Sequence, residues 1–330
     1  MSQKPKLSMY WAASCGGCEV ALVNIHEKIL DVDAAFDLIF CPCLLDTKKK
    51  DIEAMPDKSI AITLFNGAIR TEENKEMAHL LRRKAQVLIA FGSCAHEGCI
   101  PGLSNLYPSR EEHMKSIYLD NYSTDNPAQV VPQLKTEMPE GVIHLPLFFD
   151  RVKTLAQEVE VDYFIPGCPP ESHQIWNVVD LVVKGGPLPP AGSVIGAGRS
   201  SVCDECDRKV EDKRIKKFYM PHEIIPERQP CLLDQGIICM GIATRDGCGA
   251  LCPQVNMPCI GCYGPPEGID DQGAKMVSAI GSVLDIGDTK GMPEDELVKR
   301  VDDIIGSIPD FAGTFYKFSL ADSILKGKIK

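Results

Sequence analysis

The sequence predicts an α/β protein: a doubly wound parallel sheet in the first half, followed by a loop-rich domain organised around cysteines. Three observations carry this. Strand-like and helix-like runs alternate from Lys6 to Lys184. A Gly/Pro-rich stretch, Gly185 to Gly192, then interrupts the chain. Beyond it periodicity fades, and eight of the fifteen cysteines crowd into residues 203–262.

Taken in order, Lys6 to Ala13 reads as the first strand. Cys18 to Leu30 carries Val20, Leu22, Val23, Ile25 and Ile29 near helical spacing. Phe36 to Phe40 is a short apolar run ended by Cys41-Pro42. Ser59 to Phe65 is a strand closed by the Asn66-Gly67 turn signal. Thr71 is placed to cap a helix running to Lys84, with Glu72 and Glu73 in its first turn. Gln86 to Phe91 is a buried strand ending at Gly92, and Val142 to Leu147 and Asp162 to Ile165 are further strand candidates. Glu171 to Lys184 is a helix entered through Pro169-Pro170 and left through Gly185-Gly186. This alternation gives a flavodoxin-like, doubly wound sheet over residues 1–186, with Pro108 to Pro139 as a weakly patterned surface insertion. Residues 187–270 form the cysteine-rich domain. Residues 271–330 form a helical extension, including a charged amphipathic helix within Thr289 to Ser307.

Composition narrows the function. The net charge of −11 and the pI near 5.2 argue against nucleic acid and anionic membrane as partners. The longest apolar runs, such as Val87 to Phe91, are too short to cross a bilayer. The N-terminus has neither a twin-arginine pair nor an apolar signal region, so a cytoplasmic location is expected. Fifteen cysteines in such a chain point to metal or cluster binding; disulfide scaffolds belong to small secreted domains.

In the first half, Cys15, Cys94 and Cys168 each follow a predicted strand. They therefore fall at the carboxyl edge of the sheet, where open α/β sheets bind ligands. Cys15 and Cys18, in Cys-Gly-Gly-Cys-Glu, have the spacing that lets two thiolates reach one centre. Helices starting after Cys15 and Cys168 direct N–H groups and positive dipole ends at anions. Gly16, Gly17, Gly92 and Gly167 permit close backbone approach. Each piece has a plainer reading: a thioredoxin-like pair for Cys15 and Cys18, and small buried hydrophobes for Cys94 and Cys168. Four cysteines on three loops of one edge favour a shared cluster. Cys41, Cys43 and Cys99 read as buried or supporting thiols, the rival being replacement of an assigned ligand. His96 and His222 lie near cysteine loops and read as surface or hydrogen-bonding residues.

In the second half, Cys203, Cys206, Cys231 and Cys239 make one set of four, and Cys248, Cys252, Cys259 and Cys262 another. Four-cysteine sets also suit structural zinc, which leaves a zinc-stabilised, non-redox binding module as a different class of function. A thiol–disulfide oxidoreductase using Cys15 and Cys18 is a third. Cys248-x-x-x-Cys252-Pro253 matches only the tail of the ferredoxin run. No G-x-G-x-x-G follows a strand, so the chain has no recognisable flavin or dinucleotide site.

These residues resemble the small subunit of [NiFe] hydrogenases. Cys15-Gly-Gly-Cys18-Glu19, Gly92-Ser-Cys94-Ala95 and Gly167-Cys168-Pro-Pro170 match the family's proximal-cluster motifs in order and setting. Cys231-Leu-Leu-Asp-Gln-Gly236, Cys239, Cys248, Cys252-Pro253 and Pro258-Cys259-Ile-Gly-Cys262 resemble its medial and distal motifs. The likeness runs from about Tyr10 to Gly264. It is greatest to cytoplasmic archaeal-type members, above all the F420-non-reducing (methyl-viologen-reducing) hydrogenase that feeds heterodisulfide reductase. Membrane-targeted members carry a twin-arginine signal and usually a histidine where Cys203 stands, and many have proline at Cys252.

The resemblance implies three [4Fe-4S] clusters: proximal on Cys15, Cys18, Cys94 and Cys168; medial on Cys248, Cys252, Cys259 and Cys262; distal on Cys203, Cys206, Cys231 and Cys239. Some relatives use an aspartate at the proximal site, and Asp46 or Asp51 is placed for that part. No residue of this chain is catalytic in this reading; hydrogen is split in a partner large subunit. Heterodisulfide reductase and a small delta-type iron–sulfur subunit are the implied acceptors, with F420-reducing or NAD(P)-coupled hydrogenases as alternatives. Glu19 reads either as an interface residue able to carry protons or as an ordinary first-turn carboxylate.

Overall fold

The computed structural model describes residues 4–211 and 213–325. The chain divides into two compact units, residues 1–195 with 320–330, and residues 196–319.

The first unit opens with β1 (Lys6–Trp11), α1 (Gly17–Val23), α2 (Ile29–Ala35), β2 (Asp37–Phe40), α3 (Lys49–Glu53), β3 (Ile60–Asn66) and β4 (Ile69–Thr71). It continues with α4 (Glu72–Lys84), β5 (Ala85–Phe91), α5 (Ser93–Glu97), α6 (Cys99–Gly102) and α7 (Arg110–Tyr118). The remaining elements are β6 (Lys135–Met138), β7 (Gly141–His144), β8 (Phe148–Lys153), β9 (Tyr163–Ile165), α8 (Ser172–Val183) and β10 (Ser193–Val194). Six strands form one sheet in the order β10-β9-β5-β3-β1-β2, every pair parallel. Strand order reverses between β1 and β3, the switch point at which doubly wound sheets open a crevice.

Period-two patterning builds a core on each face. Leu7 and Met9 of β1 and Ile89 and Phe91 of β5 join Ile25, Val32, Ile175 and Val178 on one side. Tyr10, Phe65, Leu88 and Ala90 join Met77, Leu80 and Leu81 of α4 on the other. The α4 helix starts where expected: Thr71 Oγ1 accepts from the Asn74 N–H, and Asn74 Oδ1 accepts from the Thr71 N–H, a reciprocal cap.

Three local expectations change. The helix expected over Cys18 to Leu30 is broken: α1 stops at Val23, and a short 3-10 turn, His26–Lys28, precedes α2. His26 sits at φ 58, outside helical space, after β-branched Val23 and Asn24. Val142 and its neighbours form β7, which pairs antiparallel with β6 in a separate hairpin exposed on both faces. The polar insertion contains α7, and β8 beyond it pairs with β4.

In the second unit, residues 196–271 hold only 3-10 turns and the four-residue α9 (Leu251–Gln254) among the described residues. Then come α10 (Gln272–Val283), α11 (Glu294–Ile305) and α12 (Phe311–Phe315). Phe218, Met276, Ile280, Ile304, Ile308 and Phe315 are buried in this unit. Among the described residues no helix is long and apolar enough to cross a membrane.

Candidate iron–sulfur sites

The carboxyl ends of β1, β5 and β9 bring the first cysteine set together. Cys15 lies between β1 and α1, Cys18 in the first turn of α1, Cys94 in α5 directly after β5, and Cys168 three residues beyond β9. The Cys18 thiol is raised by burial and then by the nearby Cys94, Glu19, Cys168 and Cys15 groups, so the four sulfurs of the set share one neighbourhood. Gly92 makes this possible. A Cβ there would lie 2.3 Å from Cys18 Sγ, and φ is +82, a conformation side chains resist.

Cys99, left unassigned by sequence, is fully buried beside this set. Its sulfur donates to Cys168 Sγ at 3.5 Å. Hydrogen bonding from Cys99 lowers the Cys168 thiol to about 7 against the opposing effect of burial. The same residue lowers Cys94, again against burial. Bonding to Cys168 and Cys94, with burial, pushes the Cys99 thiol itself up. Cys99 thus stands as a hydrogen-bonding thiol against both the Cys168 and Cys94 sulfurs.

Glu19 stands beside Cys18, and its two carboxylate oxygens accept from Asn66 Nδ2 at 2.8 and 2.9 Å. Asn66 ends β3, opposite Trp11 of β1, and is fully buried. Exposed apolar side chains occur in the elements around this set: Trp11 of β1, Val20 and Val23 of α1, Leu44 after β2 and Ile100 of α6.

In the second unit, burial and then Cys239, Cys231 and Cys206 push the Cys203 thiol up to about 12, which places these four sulfurs together. Gly241 approaches closely, since a Cβ on it would meet Cys203 Sγ at 3.2 Å and Cys239 Sγ at 3.7 Å. Of the remaining four, Cys248 senses Cys252, whereas Cys259 is pushed up by burial, then by Cys239 of the other set, and less by Cys262. Backbone N–H groups point at several of these sulfurs. Ala250 and Leu251 serve Cys248, Leu233 and Asp234 serve Cys231, and the Cys259 N–H donates to Cys239 Sγ at 3.3 Å. Such donors stabilise thiolates and tune cluster potentials.

All three sets are soft sulfur donors, and burial penalises the charged forms of Cys18, Cys203, Cys231, Cys239, Cys248 and Cys259, a penalty that a bound cationic iron core would remove. With Gly92 and Gly241 leaving room beside their sulfurs, the set of Cys15, Cys18, Cys94 and Cys168 and the set of Cys203, Cys206, Cys231 and Cys239 fit iron–sulfur clusters. Among the described residues no group of three or more His, Cys, Asp or Glu side chains could hold a single metal ion.

A family profile described as NADH ubiquinone oxidoreductase, 20 Kd subunit, matches residues 15–182. The chain is 39% identical over 330 residues to the iron-sulfur subunit of the F420-non-reducing hydrogenase of Archaeoglobus profundus, covering 98% of each. It is 36% identical over 333 residues to the corresponding chain of the F420-non-reducing hydrogenase of Methanothermobacter marburgensis, covering 100% of this chain and 99% of that one. The chain belongs to the hydrogenase small-subunit family. A solved [NiFeSe] hydrogenase chain from Desulfovibrio vulgaris Hildenborough shares this small subunit's fold, with a TM-score of 0.51 at 18% identity, covering 81% and 95% of the two chains.

The structure adds side chains to this hydrogenase subunit's sites that sequence did not single out. Buried Arg208 donates to the carbonyls of Glu227, Pro230 and Pro253 and to Asn256 Oδ1 at 2.5 to 3.2 Å, tying together the loops of Cys206, Cys231 and Cys252. Glu205 accepts from the N–H groups of Gly247 and Gly249 at 2.9 and 3.0 Å, on either side of Cys248. Gln272, 2% exposed, donates to the Gly261 carbonyl at 2.9 Å, inside the Cys259–Cys262 loop. Glu205 and Arg208, within two residues of Cys206, were the available signal, but spacing alone does not say which backbone groups they reach, and Gln272 lies ten residues from the nearest cysteine.

Proposed function

We propose that this chain is the electron-relay subunit of a cytoplasmic [NiFe] hydrogenase of the F420-non-reducing type. The observation that carries the reading is the gathering of Cys15, Cys18, Cys94 and Cys168 at one sheet edge, in a chain whose full-length relatives are F420-non-reducing hydrogenase subunits. That set is the proximal site; Cys248, Cys252, Cys259 and Cys262 are the medial site; Cys203, Cys206, Cys231 and Cys239 are the distal site. Bound there, three [4Fe-4S] clusters supply one-electron steps that carry electrons from H2 oxidation in a large subunit to an acceptor.

The chain's own residues do the rest. Trp11, Val20, Val23, Leu44 and Ile100 offer an apolar rim for the large subunit at the proximal edge. Glu19, fixed by Asn66, holds a carboxylate at that edge, able to take and pass a proton. Cys99 positions Cys94 and Cys168 through its thiol. A small delta-type iron–sulfur subunit and heterodisulfide reductase are the acceptors in this reading.

A second reading, coupling to an NAD(P)-reducing partner, is favoured by one observation. The chain is 30% identical over 193 residues to the NAD-reducing hydrogenase HoxS subunit delta of Cupriavidus necator, covering 58% of this chain and 84% of that one.

Iron, zinc and acid-labile sulfide per chain, measured on anaerobically purified protein, test the relay. About twelve iron with matching sulfide supports three four-iron clusters; about two zinc without sulfide makes the second unit structural. Cys94→Ser or Cys168→Ser should remove the proximal paramagnetic signal and leave the others. An unchanged spectrum in both variants overturns the proximal assignment. The acceptor subunit that co-purifies decides between the two couplings.

A further inference from the structure

Besides Cys99, two thiols lie outside the three cysteine sets. Cys41 and Cys43 flank Pro42 just after β2, and their sulfurs are 3.6 Å apart. Cys41 is 3% exposed and belongs to the core on one face of the sheet, whereas Cys43 is open to solvent. The turn holds them in this relation. The Leu44 and Leu45 N–H groups both donate to the Cys41 carbonyl, at 2.9 and 2.8 Å. Cys43 and Leu44 also direct their N–H groups at the Cys41 sulfur. The groups acting on Cys41 are Cys43 and this turn, while those acting on Cys18 are Cys94, Glu19, Cys168 and Cys15. None of the largest effects on Cys41 comes from a cysteine of the proximal set.

Thiol–disulfide exchange needs an accessible attacking sulfur with a second, shielded sulfur in contact behind it. We infer that Cys41 and Cys43 form a reversible dithiol–disulfide pair that exchanges electrons with low-molecular-weight organic disulfides. The Cys43 thiolate attacks one sulfur of the external disulfide, breaks its S–S bond and releases one thiolate. Cys41 then gives up its proton and attacks Cys43 Sγ. The mixed disulfide breaks, the second external thiolate leaves, and a Cys41–Cys43 bond forms. Two electrons pass from the protein pair to the external disulfide, and the two protein protons end on the two thiols released.

The roles follow from placement. Burial and the contact with Cys43 push the Cys41 thiol up to about 11, which suits a resolving sulfur that waits protonated. A bridge across a single intervening residue closes a small, strained ring, and strained, exposed disulfides are the readily reduced ones. The bridge is therefore a switch and not a staple. It adjoins β1 through the Ser8 and Phe40 pairing and the Tyr10–Phe40 ring stack at 6.3 Å.

The test uses the full chain purified anaerobically with its iron. It is exposed to oxidised glutathione, then alkylated, digested and mapped by mass spectrometry. Cys41 and Cys43 should lose alkylation together, appear as one internally linked peptide, and recover on treatment with dithiothreitol, with iron content unchanged. Cys41→Ser should trap a glutathione adduct on Cys43; Cys43→Ser should leave Cys41 unmodified. Unaltered alkylation of both residues in the unmutated chain overturns the inference. So does loss of iron in either variant, which would make the pair cluster ligands. Because the mapping is read on the unmutated chain and separately from the iron count, its failure would leave the relay reading standing.

Discussion

The two units of this chain are held by different forces. In the sheet unit, Ile60, Phe65, Ile69, Leu81, Leu88, Phe91 and Leu155 are entirely buried, and the core lies on both faces of a six-stranded sheet. Hydrophobic burial there needs nothing from outside the chain. Residues 203–262 have no strand and no helix longer than four residues among those described, and beside a few buried apolar side chains such as Phe218, Leu232 and Ile237 they are ordered by N–H groups aimed at sulfur and by polar ties from Arg208, Glu205 and Gln272. If the cysteine sets bind clusters as proposed, the contrast teaches where each site draws its precision: the proximal set sits on an apolar sheet scaffold, whereas the other two would share the job of scaffold with the bound group.

Removing iron should break the symmetry between the units most. Amide hydrogen exchange on chelated protein should show residues 203–262 losing protection while β3 and β5 keep theirs. Equal protection in both regions would mean that the loop unit is self-supporting. The reverse experiment attacks the sheet. Phe65→Ala should cost about 3–5 kcal/mol, seen in thermal or denaturant unfolding, while the paramagnetic signals from the second unit persist. A loss of those signals would show that the units do not behave separately.

The next effect in size concerns a single polar tie. Arg208→Met removes a buried guanidinium from three carbonyls and an amide oxygen. Each buried acceptor left without its donor costs about 1–3 kcal/mol. The distal signal should broaden or vanish, whereas the proximal signal stays. Arg208→Lys cannot reproduce the fork and should recover only part. Full retention of the distal signal in Arg208→Met would mean that ligation alone orders these loops.

Legibility in the sequence followed the same division. The sheet was readable because its strands alternate or run apolar and its helices carry ordinary stop and start signals, such as Thr71 and Gly185-Gly186. The strand ends then located Cys15, Cys94 and Cys168 at one edge. What escaped is what tertiary contact decides. The break at His26 rests on a left-handed backbone that no pattern announces. The edge strand β10, two residues long, hides in a Gly/Pro-rich stretch. Cys99 joins the proximal sulfurs because Gly98, at φ +89, turns the chain back between α5 and α6, and spacing alone left its part open. Arg208 is three-dimensional in the same sense, since its acceptors come from residues 19 to 48 positions away.

The smallest predicted effect sharpens the view of the sheet unit as an independent scaffold. Glu158 follows β8, and its side chain is 7% exposed. Burial alone would raise its pKa. Hydrogen bonds from His79 at 2.9 Å, Lys153 at 3.1 Å and Lys75 at 3.2 Å more than reverse this and hold it at about 2. A carboxylate with a folded pKa below its unfolded value stabilises the fold above the unfolded pKa, and that contribution is lost as pH falls toward the folded value. At neutral pH it is fully present. The two lysines that face Glu158, Lys75 and Lys153, are about half exposed, so screening trims the benefit to on the order of 1 kcal/mol. Glu158→Gln should therefore lower the melting temperature by about 2–4 °C, and 1 M salt should shrink the difference. Cluster signals should not change in either unit. An unchanged melting temperature would mean that the cost of burying the carboxylate cancels its three bonds, and that α4 and the loop after β8 are held by apolar packing alone.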